Sequence, residues 1–420
     1  MSGRTEPIAV VGGGIGGLAA ALFLSRAGFE VALIEKRTGV EEEGAGLQLS
    51  PNASRVLFEA GMGPPLSRRA SAPERVRIRR ALDARELASI PLGDDIEARH
   101  GAPYLVIHRA DLAGLLLDAV RSEARVQLLY GREAQGHVEH DHGVTLSLRS
   151  ENSAHSTFDA AALVLADGLW STNHPSNEPP HFSGFCAWRA LVPATSAPSF
   201  ARAREVGLWL GPRAHLVHYA LGNRDAVNLV AVIEDEHQQQ GWSREGDPKG
   251  IGQAFATWNA AARSLIACAP AWKCWSLFDR QPARRWGRGL VTLLGDAAHP
   301  MLPFLAQGAA MAIEDAAVLA IALSPLTHAG IGHKTGTREA TARLDRRREV
   351  ERSLRRYERA RASRTARAQR EARWNKLAYH PQFPLSAPRD LILSRSSGPR
   401  LLSRYDWLYG WRAEDALATE

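Results

Sequence analysis

The chain has 420 residues, 45% of them apolar and 23% charged, with a formal net charge of +7 and a pI near 9.6. That length accommodates two or three domains with a substantial core, and the composition is ordinary for a soluble globular protein, which excludes the disordered and fibrous classes. Cys186, Cys268 and Cys274 are odd in number and form no C-x-x-C, so neither a disulfide framework nor a zinc site is expected and no metal ligand is assigned. Met1 to Pro7 lacks a signal architecture and no later apolar run reads as long enough to span a bilayer, so a cytoplasmic location is expected.

Pro7 to Glu35, PIAVVGGGIGGLAAALFLSRAGFEVALIE, reads as a complete βαβ unit: strand Ile8 to Val11, helix Ile15 to Ala27, strand Glu30 to Glu35. Gly12, Gly14 and Gly17 supply G-x-G-x-x-G at its first corner. The first glycine permits the turn, the second lets backbone approach a pyrophosphate, and the third lets helix pack on strand; the helix N-terminus offers free N–H groups. Glu35 follows at the distance expected of a ribose-binding acid. A carboxylate there repels a 2′-phosphate, so the ligand is FAD or NAD rather than NADP.

Gly39 to Ala53 reads as a glycine-punctuated loop leading into a helix at Pro51 to Glu59, with Ser50 as its N-cap. Strands RVRIRR and ELASI follow, then strand and helix between Tyr104 and Ala124, then strands at Val126 to Tyr130, Gly143 to Arg149 and Phe158 to Ala166. From Phe182 to Phe278 the strands become longer, alternating and aromatic-rich, as in AHLVHYAL, and predict an antiparallel sheet. Gly289 to Leu323 returns to the first style, with a buried strand ending at Gly295 and Asp296 and a small-residue helix. The dinucleotide domain is therefore discontinuous: 1–70, 100–180 and 285–325 form it, 71–99 and 181–284 form a substrate-binding sheet domain, and 338–420 form a C-terminal helical region and tail. Tyr379 to Trp411 shows no periodicity.

Between Arg338 and Arg373 stand fourteen Arg against six Asp or Glu, a surplus that accounts for the whole net charge. Leu344, Val350, Leu354 and Tyr357 form a narrow apolar stripe, so this segment is expected as a solvated surface helix laced with ion pairs such as Glu351 to Arg355, in preference to a nucleic-acid-binding element.

Three glycine-acid corners now stand at strand ends: Gly12 to Gly17, Asp167 with Gly168, and Gly295 with Asp296. In an open α/β sheet, ligands sit outside the carboxyl ends of the strands, so the three can converge on one elongated cofactor. The G-x-G-x-x-G, the ADGLWS segment and LLGDAAHPMLPFLAQGAAMAIEDA, in this order, resemble the group A flavin-dependent aromatic hydroxylases with the para-hydroxybenzoate hydroxylase fold. GAGLQLSPNA, HRADL, FCAWRALVP, HLVHY and DWLYGW are similar to segments of its salicylate and 3-hydroxybenzoate hydroxylase branch. The fold so implied is α/β, a Rossmann-like FAD-binding domain with an inserted antiparallel β-sheet domain and a C-terminal helical region. By that likeness Gly14, Ile15, Glu35 and Lys36 bind the AMP half of FAD, Ala134 the adenine, Arg109 the ribityl-pyrophosphate region and Asp296 a ribityl hydroxyl. Gly46 and Asp167 line the cofactor, and Gly308 and Ala309 face the pyrimidine edge of the flavin, where a helix N-terminus suits the anionic reduced ring.

The chemistry the resemblance implies has two halves. A nicotinamide, NADH or NADPH, reduces the flavin; oxygen adds as a C4a-hydroperoxide and is transferred to a ring made electron-rich by a phenolate. His215 and Tyr219 fall on one face of a strand, and a His titrating near neutrality suits the phenol's proton. His218, on the other face, is expected to be structural, and His299 to buttress the Gly-Asp corner. Pro303 stands where some 3-hydroxybenzoate hydroxylases carry glutamine, which tilts the implied substrate towards salicylate-like or other hydroxybenzoates. Expected partners are a small aromatic acid, O2 and NAD(P)H, with no nucleic acid and no membrane span; a homodimer is left open. The alternatives are an FAD-dependent dehydrogenase or oxidase of the same fold acting on another small aromatic or heteroaromatic substrate, and a non-enzymatic basic adaptor.

Overall fold

Five short apolar strands lie side by side, all parallel, in the order Val291–Leu293, Ala162–Leu165, Ile8–Val11, Val31–Glu35 and Val126–Tyr130. Four of the runs are almost wholly apolar and buried because helices cover both faces, while the edge strand Val126–Tyr130 is only partly buried and exposes Gln127. The computed structural model describes residues 6–39, 45–172, 178–235, 244–328 and 337–418. The helix Ile15–Arg26 packs on the helix Gly308–Leu323, which packs in turn on the long helix Thr337–Tyr379.

A second sheet has eight strands in the order 244–246, 272–279, 181–193, 226–234, 214–221, 205–211, 75–80, 86–91. It is antiparallel except between 205–211 and 75–80. One face buries Trp188, Trp209, Leu216 and Leu229 beneath the helix Ala260–Ala267, whose N-terminus is capped by the Asn259 side chain. The other face carries Arg189, His215, Val217, Tyr219 and Asn228, as the cross-strand register requires.

Several expectations need correction. Phe158 to Ala166 is two strands: 155–160 pairs antiparallel in a three-stranded sheet with 143–150, and 162–165 joins the parallel sheet, so an unbroken apolar run conceals a change of sheet at Ala161. In that smaller sheet Arg132–His140 is a further, edge strand, paired antiparallel with 143–150 on the side away from 155–160. Gly46–Leu49, expected as loop, pairs with Leu105–His108; residues 40–44 of that loop lie outside the described residues. Ser50 occupies the N-cap position, but its hydroxyl makes no cap; it donates to Asn52 Oδ1 (2.6 Å) and accepts from Gln307 Nε2 (2.8 Å). The tail is helical at Ser386–Arg395, Gly398–Ser403 and Asp406–Tyr409.

The arginine-rich helix is no solvated rod. Val350, Leu354 and Tyr357 are buried as the stripe predicts, and so are Glu358, Arg361, Thr365 and Gln369, whose polarity hid the face; Leu344 is exposed. Arg355 pairs with Glu358 at 2.8 Å and donates to the Val291 carbonyl, with the charge of Glu351 also acting on it. One run, Gly308–Thr327, does reach the length and apolarity of a membrane span, contrary to expectation. It is spent inside the protein: two-thirds of it is buried, and Glu314 and Asp315 within it are ion-paired.

Candidate active site

Because the strands ending at Leu293, Leu165 and Val11 are adjacent and parallel, the three glycine-acid corners emerge side by side on one edge of the sheet. At about 4.8 Å per strand they span roughly 10 Å. Gly12 has φ +108°, and a Cβ there would sit 2.4 Å from the Ala166 carbonyl oxygen; a Cβ on Gly17 would sit 1.8 Å from that of Gly12. Gly14 is the N-cap of the helix and gives it no side-chain cap, leaving its first N–H groups to a ligand. Glu35 accepts from the N–H of Gly13 (2.6 Å) and of Arg37 (2.9 Å), which aims the carboxylate at the phosphate turn. This cradle, closed to any side chain and topped by a bare helix end, fits a dinucleotide.

The third corner is held from behind. Gly295 has φ +65°, and its N–H donates to Asp315 Oδ2 (3.0 Å), which also meets His299 Nε2 (2.5 Å). His299 is thus the buttress expected. Asp315 Oδ1 and Glu314 Oε2 accept from Arg361 at 2.7 and 2.6 Å, with all three side chains fully buried. Arg364 adds two bonds to Glu314, and Asn52 ties Glu314 to Gln307, the residue before Gly308. Burial alone would raise both carboxyls; Arg364 and Arg361 hold Glu314 below its ordinary range, and His299 and Arg361 do so for Asp315. Exposed Asp296 lies 3.8 Å from where a Gly308 Cβ would be, so the corner and the start of the Gly308–Leu323 helix share one small space. Asp167 and Lys36 are exposed along the same sheet edge, and Ala134 lies in the neighbouring strand 132–140.

The eight-stranded sheet meets this edge through Gly46, whose N–H donates to Asn228 Oδ1 (2.7 Å) and whose missing Cβ makes room for the Tyr219 ring. Arg109 begins the helix Arg109–Arg121, capped by His108 Nδ1, and its N–H donates to the Ala45 carbonyl beside Gly46. Tyr219 and His215 share the face turned towards these groups. Burial raises the Tyr219 hydroxyl and keeps it a neutral donor. His215 is buried against Phe304 and Tyr379, and burial drives it well below the near-neutral value expected of it, with His380 adding to the effect. His218 lies on the opposite face beside Trp209 and Phe200.

Two side chains here escaped the sequence reading. Arg189 stands on the Tyr219 face over the Trp275 ring, its Nε without a hydrogen-bond partner among the described residues; burial, and then Arg109, pull it down to about 10. His380 Nε2 lies 2.8 Å from His215 Nδ1. Nothing within FCAWRALVP distinguishes a site arginine from one edge of an alternating strand, and no local pattern links residues 165 positions apart.

A family described as "FAD binding domain" matches residues 5–356. The 3-amino-4-hydroxybenzoate 2-monooxygenase of Streptomyces platensis is 36% identical over 417 residues, covering 98% of each chain. The 3-hydroxybenzoate 6-hydroxylase of Polaromonas naphthalenivorans is 32% identical over 99% of this chain and 98% of its own. Among solved structures, a salicylate hydroxylase substrate complex superposes with a TM-score of 0.78 at 24% identity, over 99% and 98% of the two chains. With its cofactor cradle and full-length relatives, the chain belongs to the FAD-binding family and is an FAD-dependent aromatic-ring monooxygenase.

Proposed function

We propose that this enzyme hydroxylates a small phenolic acid of the hydroxybenzoate class at the expense of NADH or NADPH. The observation that carries the reading is one sheet face that presents a basic ring nitrogen (His215), a neutral hydroxyl (Tyr219) and an under-paired cation (Arg189) beside the cofactor cradle. A phenol carboxylic acid complements all three. His215 takes the phenol proton, Tyr219 hydrogen-bonds a substrate oxygen, and Arg189 meets the carboxylate. The relatives named for hydroxybenzoate substrates support this class.

FAD is held in this reading by the turn at Gly12, Gly14, Ile15 and Gly17, by Glu35, Lys36 and Ala134 at the AMP half, and by Arg109, Asp167 and Asp296 along the chain between. Gly46, Gly308 and Ala309 border the ring system. When bound, FAD supplies the redox chemistry, accepting a hydride and activating O2 for transfer of one oxygen atom to the substrate ring. The buried aromatic wall of Phe185, Phe304 and Tyr379 excludes water from that space. The reading also includes a cytoplasmic enzyme, the long apolar run Gly308–Thr327 being committed to the core, and a homodimer using apolar surface at Trp374, Leu377, Leu391 and Ile392; sedimentation as a monomer would remove the second.

The test is NADH and NADPH oxidation by purified holoenzyme across salicylate and other hydroxybenzoates, with product and hydrogen peroxide followed together. Hydroxylated product matching nucleotide consumed is the expected result; no stimulation by any phenolic acid overturns the reading. His215→Ala should retain FAD, lose turnover by about 100-fold or more at neutral pH, and recover partly at high pH where the phenol ionises unaided. Arg189→Met should raise KM for the acid by about 10- to 100-fold while leaving FAD bound, since an ionic hydrogen bond is worth about 1.5–3 kcal/mol.

A further inference from the structure

His215 and His380 form a dyad whose halves come from different parts of the chain. His215 sits on the strand 214–221, and His380 follows the last turn of the long helix Thr337–Tyr379. Their rings lie 5.0 Å apart at 30°, with Nδ1 of His215 2.8 Å from Nε2 of His380. Aromatic neighbours fix His380: Phe185 stacks on it at 4.7 Å, and Phe304 meets it edge-on at 5.6 Å. The contact spends Nδ1 of His215, so exchange of a proton with a ligand falls to Nε2.

Resting on the reading of His215 as base, we propose that His380 is the second station of a proton relay: His215 Nε2 takes the phenol proton while His215 Nδ1 passes its own to His380 Nε2. The O–H bond breaks as the Nε2–H bond forms, and the Nδ1–H bond breaks as the new N–H on His380 forms. No electron changes hands. The products are a phenolate, a neutral His215 in its other tautomer, and a positive His380.

The relay answers a difficulty that a lone His215 poses. Its ring is 4% exposed, and burial opposes a positive charge on it. His380 is less enclosed, and the backbone carbonyl of Lys376 favours its protonated form. Burial still lowers His380 to about 4, and the charges of Lys376 and Arg389 act in the same direction. Around the dyad, Tyr379 is held neutral by burial, Arg389 is paired with Asp390, and the N–H of Arg213 donates to the His380 carbonyl. Arg213 itself is paired with Glu234. The charge that balances a protonated His380 is therefore the phenolate, which ties protonation of the dyad to presence of the substrate.

The experiment measures ionisation of the bound phenol, without turnover, by difference absorbance of oxidised holoenzyme with salicylate or 3-hydroxybenzoate across pH. His380→Phe preserves the stack on Phe185 and removes the acceptor. It should bind FAD as wild type does, hold the acid within about threefold, ionise it only at higher pH, and lose kcat by about 10- to 100-fold in a way that high pH restores. Wild-type ionisation in His380→Phe, with His215→Ala impaired, overturns the relay and leaves His215 as a lone base; unchanged ionisation in His215→Ala overturns the reading beneath it. Should His380→Phe fail to fold, the proton inventory of substrate ionisation in wild-type enzyme decides: a bowed dependence on deuterium content shows two protons in flight, a straight one sinks the relay.

Discussion

His218 lies between Trp209 and Phe200, fully buried, with neither ring nitrogen partnered among the described residues and its Nε2 in the space a Cβ on Gly207 would fill. Burial lowers it from 6.5 to about 4. Its folded value is depressed, so the unfolded chain binds the proton first. Stability is complete above pH 6.5 and is lost as pH falls towards 4, by about 2 kcal/mol at pH 5 from this ring alone. His218→Phe should be as stable as wild type at pH 7 and should lose less between pH 7 and 5, as read from urea midpoints; an unchanged slope would place the acid sensitivity elsewhere, with His215 and His380 next. The alternation in AHLVHYAL made the two faces of this strand legible, since a period of two leaves no other assignment. It did not make Arg189 or His380 legible, because what each does depends on a partner strand or helix far away in sequence.

The helix Thr337–Tyr379 reaches the cofactor corner through Arg361. That guanidinium compensates two carboxylates deep in the Gly308–Leu323 helix, and one of them holds Gly295 in place. Arg361→Met, similar in reach and uncharged, leaves Glu314 with Arg364 and Asp315 with His299, and should cost about 3–5 kcal/mol. Exposed Arg370→Ala, on the same helix, should stay within about 0.5 kcal/mol; equal losses in thermal melts of the two would mean that the buried cluster carries no special weight. Both carboxyls are depressed in the fold, so their contribution is full above the ordinary values of 4.5 and 3.8 and is lost as pH falls below them, after the histidines have already charged. Apolar periodicity found the first part of this helix and missed Glu358, Arg361, Thr365 and Gln369, because residues buried by pairing look the same in sequence as residues facing water.

At the scale of the molecule, the parallel sheet was legible because glycine and acid punctuate each of its functional strand ends. The joins between units were not: Ala161 changes sheets without any break in apolar character, and the tail's short helices take their places from packing. That tail and the long helix have a consequence for how the protein is made. All of the cradle up to Ala309 leaves the ribosome before Arg361, and His380 follows 71 positions after Ala309, several seconds later at roughly 5–20 residues per second. Until then Glu314 lacks both of its arginines and Asp315, which backs the Gly295 corner, has only His299. A chain stopped after Gly336 keeps G-x-G-x-x-G, Glu35 and Asp296 yet should purify without flavin, while the full chain purifies yellow; a yellow truncation would show the first three hundred residues to be self-sufficient. A colourless truncation would mean that no unfinished chain spends nicotinamide on oxygen before His380 has come to lie against His215.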